Sequence, residues 1–139
     1  MDSYDRKLGA KFLLVIIILL MLGISGRCGN NSQIDSLKTL LVEHNVHHVD
    51  IVLAQAVLET GWFKCNHCSW QRNNPFGFFW KGQYKKFRDL DHAVFYYKTW
   101  QAKWYKDGED YYDFLKRIGY AEDPGYISKL KNSNLITIN

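Results

Sequence analysis

The sequence predicts a mainly α domain of the α+β kind, with one short β-hairpin lobe, preceded by an N-terminal hydrophobic segment. Three observations carry this. From Val49 to Thr60 the chain is apolar almost all round a helix, as a buried helix must be. Beyond residue 90, apolar and aromatic side chains recur at helical spacing in two further segments. Between these regions, Phe78 to Phe87 reads as two short strands joined around Lys81-Gly82.

The elements follow in chain order. Phe12 to Ile24 carries no charge and is preceded by Arg6, Lys7 and Lys11. That pattern fits a signal peptide, or a retained anchor whose flanking residues snorkel. It is short for a membrane span, which needs about 20 apolar residues. Cys28 follows at a distance suited to lipidation, although Arg27 is wrong for the residue before a lipid-carrying cysteine. Residues 1–28 are thus a signal peptide or N-terminal membrane anchor. Residues 29–33 are a short linker, and 34–139 form one domain. Each reading of the N-terminus sends the domain out of the cytoplasm, to the periplasm or cell envelope.

Ile34 to about Glu43 places apolar residues at 34, 37, 40 and 41, an amphipathic helix. In the 49–60 helix, Val49, Val52, Leu53, Ala56 and Val57 share one face, and Ile51, Ala54 and Leu58 cover the opposite one. Gln55 and Glu59, four residues apart, form the polar stripe. Asp50 suits the helix start and Gly61 its stop. Trp62 to Phe76 is a loop, and Asn73-Asn-Pro-Phe-Gly77 ends it with turn chemistry. Asp91 to about Tyr105 is a helix capped by Asp91, with its aromatics in the core. Asp110 to Ile118 is another, closed by Gly119. A last short helix begins near Pro124, with Asp123 as its N-cap.

Glu59 is the candidate for chemistry. A carboxyl group in apolar surroundings resists ionisation, so its pKa rises. An acid still protonated near neutral pH can protonate a leaving-group oxygen, as glycosidases require. Aromatics make up 16% of the chain. Those in loops or the hairpin offer flat platforms for sugar rings: Trp62, Trp80, Tyr84, Tyr120 and Tyr126. Gln55 joins them as a candidate substrate contact, and Asn74, Phe76 and Gly77 as shapers of the loop.

Other classes fit less well. Cys65 and Cys68 form a Cys-x-x-Cys pair beyond a helix end, which suits a local disulfide or two free thiols. Zinc needs four ligands, and His67 alone lies close in sequence, so no metal and no cofactor is expected. The chain carries 18 Lys+Arg against 14 Asp+Glu, and four of those bases precede or flank Cys28. So small a surplus gives no reason to expect nucleic acid. A single-domain monomer is expected.

Ala54-Gln-Ala-Val-Leu-Glu-Thr-Gly-Trp62, Asn73-Asn-Pro-Phe-Gly77 and Gly119-Tyr-Ala-Glu-Asp-Pro-Gly-Tyr126 stand in order along the chain. Together they resemble the glucosaminidase family of bacterial peptidoglycan hydrolases, which includes flagellar rod-cap and autolysin domains. The resemblance spans about Leu53 to Leu130. It implies a lysozyme-like helical fold and cleavage of the β-1,4 bond after N-acetylglucosamine in peptidoglycan glycan strands. By resemblance, Glu59 is the general acid, and Tyr120 matches the family tyrosine near the reaction centre.

One departure matters. Many relatives carry a second glutamate in the hairpin lobe, and Phe78 to Arg88 contains no acid here. Two mechanisms stay open. Either the substrate's 2-acetamido group attacks the anomeric carbon, or Asp89 or Asp123 serves as second carboxylate. The expected activity is that of an endo-β-N-acetylglucosaminidase. A lytic transglycosylase or muramidase on the same fold, and a non-catalytic peptidoglycan-binding module, are the alternatives. The membrane enters only through the N-terminal segment or a lipid on Cys28.

Overall fold

The structure is a computed structural model and describes residues 31–133. The calls on residues 1–28, Cys28 included, lie outside the described residues. Helices α1 (Asn31–Glu43), α2 (Val49–Thr60), α3 (Leu90–Trp104), α4 (Tyr111–Arg117) and α5 (Tyr126–Lys131) surround one hydrophobic core. Strands β1 (Phe79–Trp80) and β2 (Gln83–Tyr84) form an antiparallel hairpin, pairing Phe79 with Tyr84 and Trp80 with Gln83. Among the described residues, no helix is long and apolar enough to cross a membrane.

Helix α2 is the central element. Val52, Leu53, Ala54, Ala56 and Val57 are all buried, and so are its polar residues Gln55, Glu59 and Thr60. Helices α1 and α5 pack directly against it, and α1 also touches α3. Helix α1 contributes Leu37 and Leu41, both fully buried. It begins at Asn31, so three residues of the expected linker are helical. No Gly or Pro interrupts 31–33, and a polar first turn needs no core contact to extend a helix.

Three caps differ from expectation. The N-cap of α3 is Asp89, whose side chain accepts the His92 N–H at 2.8 Å. Asp91 instead lies in the first turn and pairs with His44 at 2.7 Å. Asp123 does not cap α5; Gly125 holds that position. Asp123 accepts the Gly125 N–H at 3.0 Å in a turn just ahead of the helix, because Pro124 cannot supply an N–H there. His48, with a left-handed φ of 57°, occupies the N-cap of α2, while Asp50 pairs with Lys38 at 3.7 Å.

The end of α2 is an unusual turn. Gly61 caps the helix in left-handed geometry as expected, but Trp62 and Phe63 also take positive φ, 62° and 58°. Thr60 explains how this holds. Its buried hydroxyl donates to the Ala56 carbonyl at 2.7 Å and accepts the Phe63 N–H at 3.0 Å. The loop beyond contains a 3₁₀ turn, Ser69–Arg72, that the sequence did not announce. Cys65 and Cys68, ahead of it, are joined by a disulfide.

The hairpin is shorter than its sequence span. Lys81 and Gly82, with φ of 48° and 83°, make the expected tight turn. Phe78 anchors the base, packing on Tyr96 and Trp100 of α3 with ring centroids 4.9 and 5.8 Å away. Most α3 aromatics serve the core, with Tyr97 fully buried. Phe95 is the exception, 57% exposed.

Candidate active site

Glu59 occupies the last turn of α2 and is 8% exposed. Its Oε1 accepts a hydrogen bond from the Tyr126 hydroxyl at 3.3 Å. Its Oε2 lies against Gly77. A Cβ built on Gly77 would stand 2.8 Å from that oxygen, so a larger residue would displace the carboxyl, and its φ of +68° also suits glycine. The Asn-Pro-Phe-Gly loop therefore closes directly on the carboxyl group.

Burial pushes the Glu59 pKa up to about 8, and the Tyr126 hydroxyl opposes the rise by favouring the ionised form. At neutral pH the group carries its proton. The three hydroxyls around it respond in kind. Tyr126, Tyr120 and Tyr84 are held above the usual tyrosine range, first by burial and then by the charge of Glu59. A helix end, a loop, the hairpin and the α4–α5 connection thus converge on one acid.

Phe76 and Tyr120 frame the same place. The Tyr120 hydroxyl donates to the Phe76 carbonyl at 2.8 Å, and its ring centroid lies 5.8 Å from that of Tyr126. Asn74 is fully buried and fastens the loop to the hairpin. Its amide donates to the carbonyls of Phe78 at 2.7 Å and Lys85 at 3.1 Å, and its oxygen accepts the Phe78 N–H at 3.0 Å. With every polar atom so engaged, Asn74 shapes the site rather than offering itself to a ligand.

The remaining candidates are dispersed. Gln55 is fully buried behind Glu59, where its oxygen accepts from the Tyr97 hydroxyl at 2.8 Å. Trp62 is 46% exposed at the α2 terminus. Trp80 and Tyr84 fall on opposite faces of the hairpin, because Tyr84 pairs with Phe79 and neighbours alternate. On its face, Trp80 lies 6.0 Å from the Lys85 ammonium.

Both alternative carboxylates are already engaged. Asp89 caps α3 and pairs with Arg88 at 2.7 Å, which holds its pKa low. Asp123 pairs with Lys129 at 2.8 Å and is likewise held low. Sequence reading missed Phe79, whose ring lies 5.1 Å from Tyr84, and the polar side chains of Tyr97, Tyr111 and Gln101 behind Gln55. Gln101, four residues after Tyr97 on an apolar helix face, was the available signal.

Among the described residues, no cluster of His, Cys, Asp or Glu is arranged to hold a metal ion. What the arrangement can do is deliver one proton from a buried acid at a tyrosine-lined surface. A mainly helical fold with one short hairpin around a buried acid is an arrangement that a glycoside hydrolase could use. Residues 35–136 match the Glucosaminidase family, described as mannosyl-glycoprotein endo-beta-N-acetylglucosaminidase, and the chain belongs to that family. No curated protein and no solved structure matches the chain.

Proposed function

We propose that the protein cleaves β-1,4 bonds of peptidoglycan glycan strands with the preference of an endo-β-N-acetylglucosaminidase, and that Glu59 is its general acid. The observation that carries this is the buried Glu59 carboxyl, with a pKa of about 8, at the junction of the family's three motifs. Family membership supports the substrate class. The export pattern of residues 1–28 supports action at the cell envelope.

In this reading Glu59 gives its proton to the glycosidic oxygen as the bond to the anomeric carbon breaks. The 2-acetamido oxygen of the same sugar bonds to that carbon, forming a cyclic oxazolinium. Water then opens the ring and returns a proton to the Glu59 carboxylate, which acts as base in this second step. The engagement of Asp89 with Arg88 and of Asp123 with Lys129 favours the substrate as nucleophile. Tyr120, with its proton committed to Phe76, keeps oxygen lone pairs for the developing positive sugar or the acetamido N–H. Tyr84, Tyr126 and Trp62 are proposed sugar contacts.

The test is digestion of purified peptidoglycan by the full-length protein, wild type beside Glu59→Gln, with reduced products identified by mass spectrometry. New reducing N-acetylglucosamine ends that vanish in the variant are expected. Anhydro products would move the assignment to a lytic transglycosylase. Folded protein that binds glycan without turnover would make it a binding module.

A further inference from the structure

The fixed charges of the domain are segregated. From Thr60 to Arg88 the chain carries six bases, Lys64, Arg72, Lys81, Lys85, Lys86 and Arg88, and no acid. The rest of the described chain, residues 31–59 and 89–133, carries eight bases and twelve acids. There Lys38, Lys116, Arg117 and Lys129 each reach a carboxylate. Among the described residues, Arg72, Lys81, Lys85 and Lys86 reach none. Arg72, Lys81 and Lys86 are exposed, and Lys85 is half-buried.

These four bases sit on the lobe that closes over the acid. Gly77, two residues ahead of β1, lies against the Glu59 carboxyl. Asn74 ties that loop to the Lys85 carbonyl at 3.1 Å, and the Lys85 N–H donates to the Phe78 carbonyl at 2.9 Å. The Arg72 carbonyl accepts the Phe87 N–H at 2.9 Å, and the Arg72 guanidinium donates to the Tyr84 carbonyl at 3.4 Å. Lys81 lies at the hairpin tip, and the Lys85 ammonium stands 4.4 Å over the Tyr96 ring. One hydrogen-bonded unit therefore carries both the positive charge and a wall of the site. Clustering like charges costs stability through self-repulsion, and a bound anion relieves it. A positive rim beside a cleft also draws anionic substrates toward it.

We propose that this basic lobe is a docking surface for carboxylates carried by the glycan strand, and that it selects acidic peptidoglycan over neutral polymers of N-acetylglucosamine. The inference deepens the reading of the protein as a peptidoglycan hydrolase and rests on it. Peptidoglycan carries carboxylates on its lactyl groups or on the peptides joined to them. Chitin shares the β-1,4 linkage and the 2-acetamido group but has no charge. The lobe supplies the sign complementary to peptidoglycan beside the acid that would cut the bond. Such attraction reaches about 10 Å at 0.1 M salt and about 3 Å at 1 M, so it needs no fixed ion-pair geometry and is lost in high salt.

The experiment sediments full-length protein carrying Glu59→Gln with insoluble peptidoglycan or with chitin, at about 0.05 M and about 1 M salt. Adding Lys81→Glu and Lys86→Glu is expected to lower the peptidoglycan-to-chitin affinity ratio about tenfold at low salt and less than about twofold at high salt. Lys103→Glu with Lys106→Glu makes the same charge change at exposed positions outside the lobe, and should leave the ratio within about twofold. Where chitin is not bound at all, the peptidoglycan affinity is read against this control. An unmoved ratio in the folded lobe variant overturns the inference, and so does an equal fall in the control. If the lobe variant does not fold, Lys86→Gln alone should lower the ratio about twofold to threefold, and an unmoved ratio there overturns the inference too. Loss of binding to phosphatidylglycerol vesicles with the ratio unmoved would assign the lobe to a membrane surface instead. Cleavage is followed in parallel with Glu59 restored. If the ratio falls but neither polymer is cut, the docking surface stands and the hydrolase reading fails. If the ratio holds and peptidoglycan is cut, the hydrolase reading stands and the docking surface fails.

Discussion

At the scale of single residues, Glu59 is costly to the fold. Its folded pKa, about 8, lies above the value of 4.5 it has in an unfolded chain. Folding is therefore least penalised below pH 4.5, and stability is lost as pH rises from there through 8. At pH 7 the unfolded chain is ionised and the folded one is not, a difference of about 3 kcal/mol against stability. Glu59→Gln is expected to be more stable by up to that amount in urea denaturation at pH 7, with the gain vanishing near pH 4. The same variant should lose at least about 10²-fold in glycan cleavage, the contribution of a positioned general acid. Gly77→Ala presents the opposite case. Its methyl would meet the Glu59 carboxyl at 2.8 Å and its φ is positive, so it should cost roughly 1–3 kcal/mol and lower kcat together. Thermal denaturation beside the digestion assay checks both.

At the scale of elements, the site depends on how the hairpin is fastened. The buried Asn74 side chain makes three hydrogen bonds to the hairpin base. Asn74→Ala leaves two carbonyls and an N–H of the backbone without that partner, a loss of roughly 2–4 kcal/mol. Activity should fall more steeply than stability alone requires, because the same loop carries Gly77 and the Phe76 carbonyl bonded to Tyr120. Asp89 separates the two mechanisms. As the cap of α3, Asp89→Ala should cost about 1 kcal/mol in urea denaturation. If the substrate supplies the nucleophile, the folded variant keeps nearly full turnover. A folded but inactive Asp89→Asn enzyme would sink that mechanism and restore Asp89 as the second carboxylate.

At the scale of the whole molecule, activity and stability pull in different directions with pH. With Glu59 as the proposed general acid, kcat should fall above about pH 8, and Glu59→Gln should erase that limb together with the activity. Removing the Cys65–Cys68 disulfide tests whether this Cys-x-x-Cys pair does chemistry of its own. It joins residues only three apart in a loop beyond α2. Cys65→Ser with Cys68→Ser should leave digestion close to wild type, whereas loss of all activity in a folded double variant would point to redox chemistry.

The helices were legible because periodicity is a local property. The all-round apolar run of 49–60 could only be a buried helix, and Lys81-Gly82 could only be a tight turn between strands. The caps were less legible. Asp89 and Asp91, or Asp123 and Gly125, are equally good local choices, and backbone geometry decides among them. Gln55 was legible as polar and adjacent to Glu59, but not as buried. Its surroundings come from Tyr97, 42 residues away. By itself the sequence determined the fold class and the family motifs and singled out Glu59 as the candidate acid, since each rests on spacing within one segment. Only the tertiary structure decided that Gly77 closes on the carboxyl, that Tyr126 bonds it, and that Tyr97 holds the buried Gln55 one turn away. Those facts depend on segments far apart in the chain meeting in a core that excludes water, and exclusion of water is what gives Glu59 its proton at neutral pH.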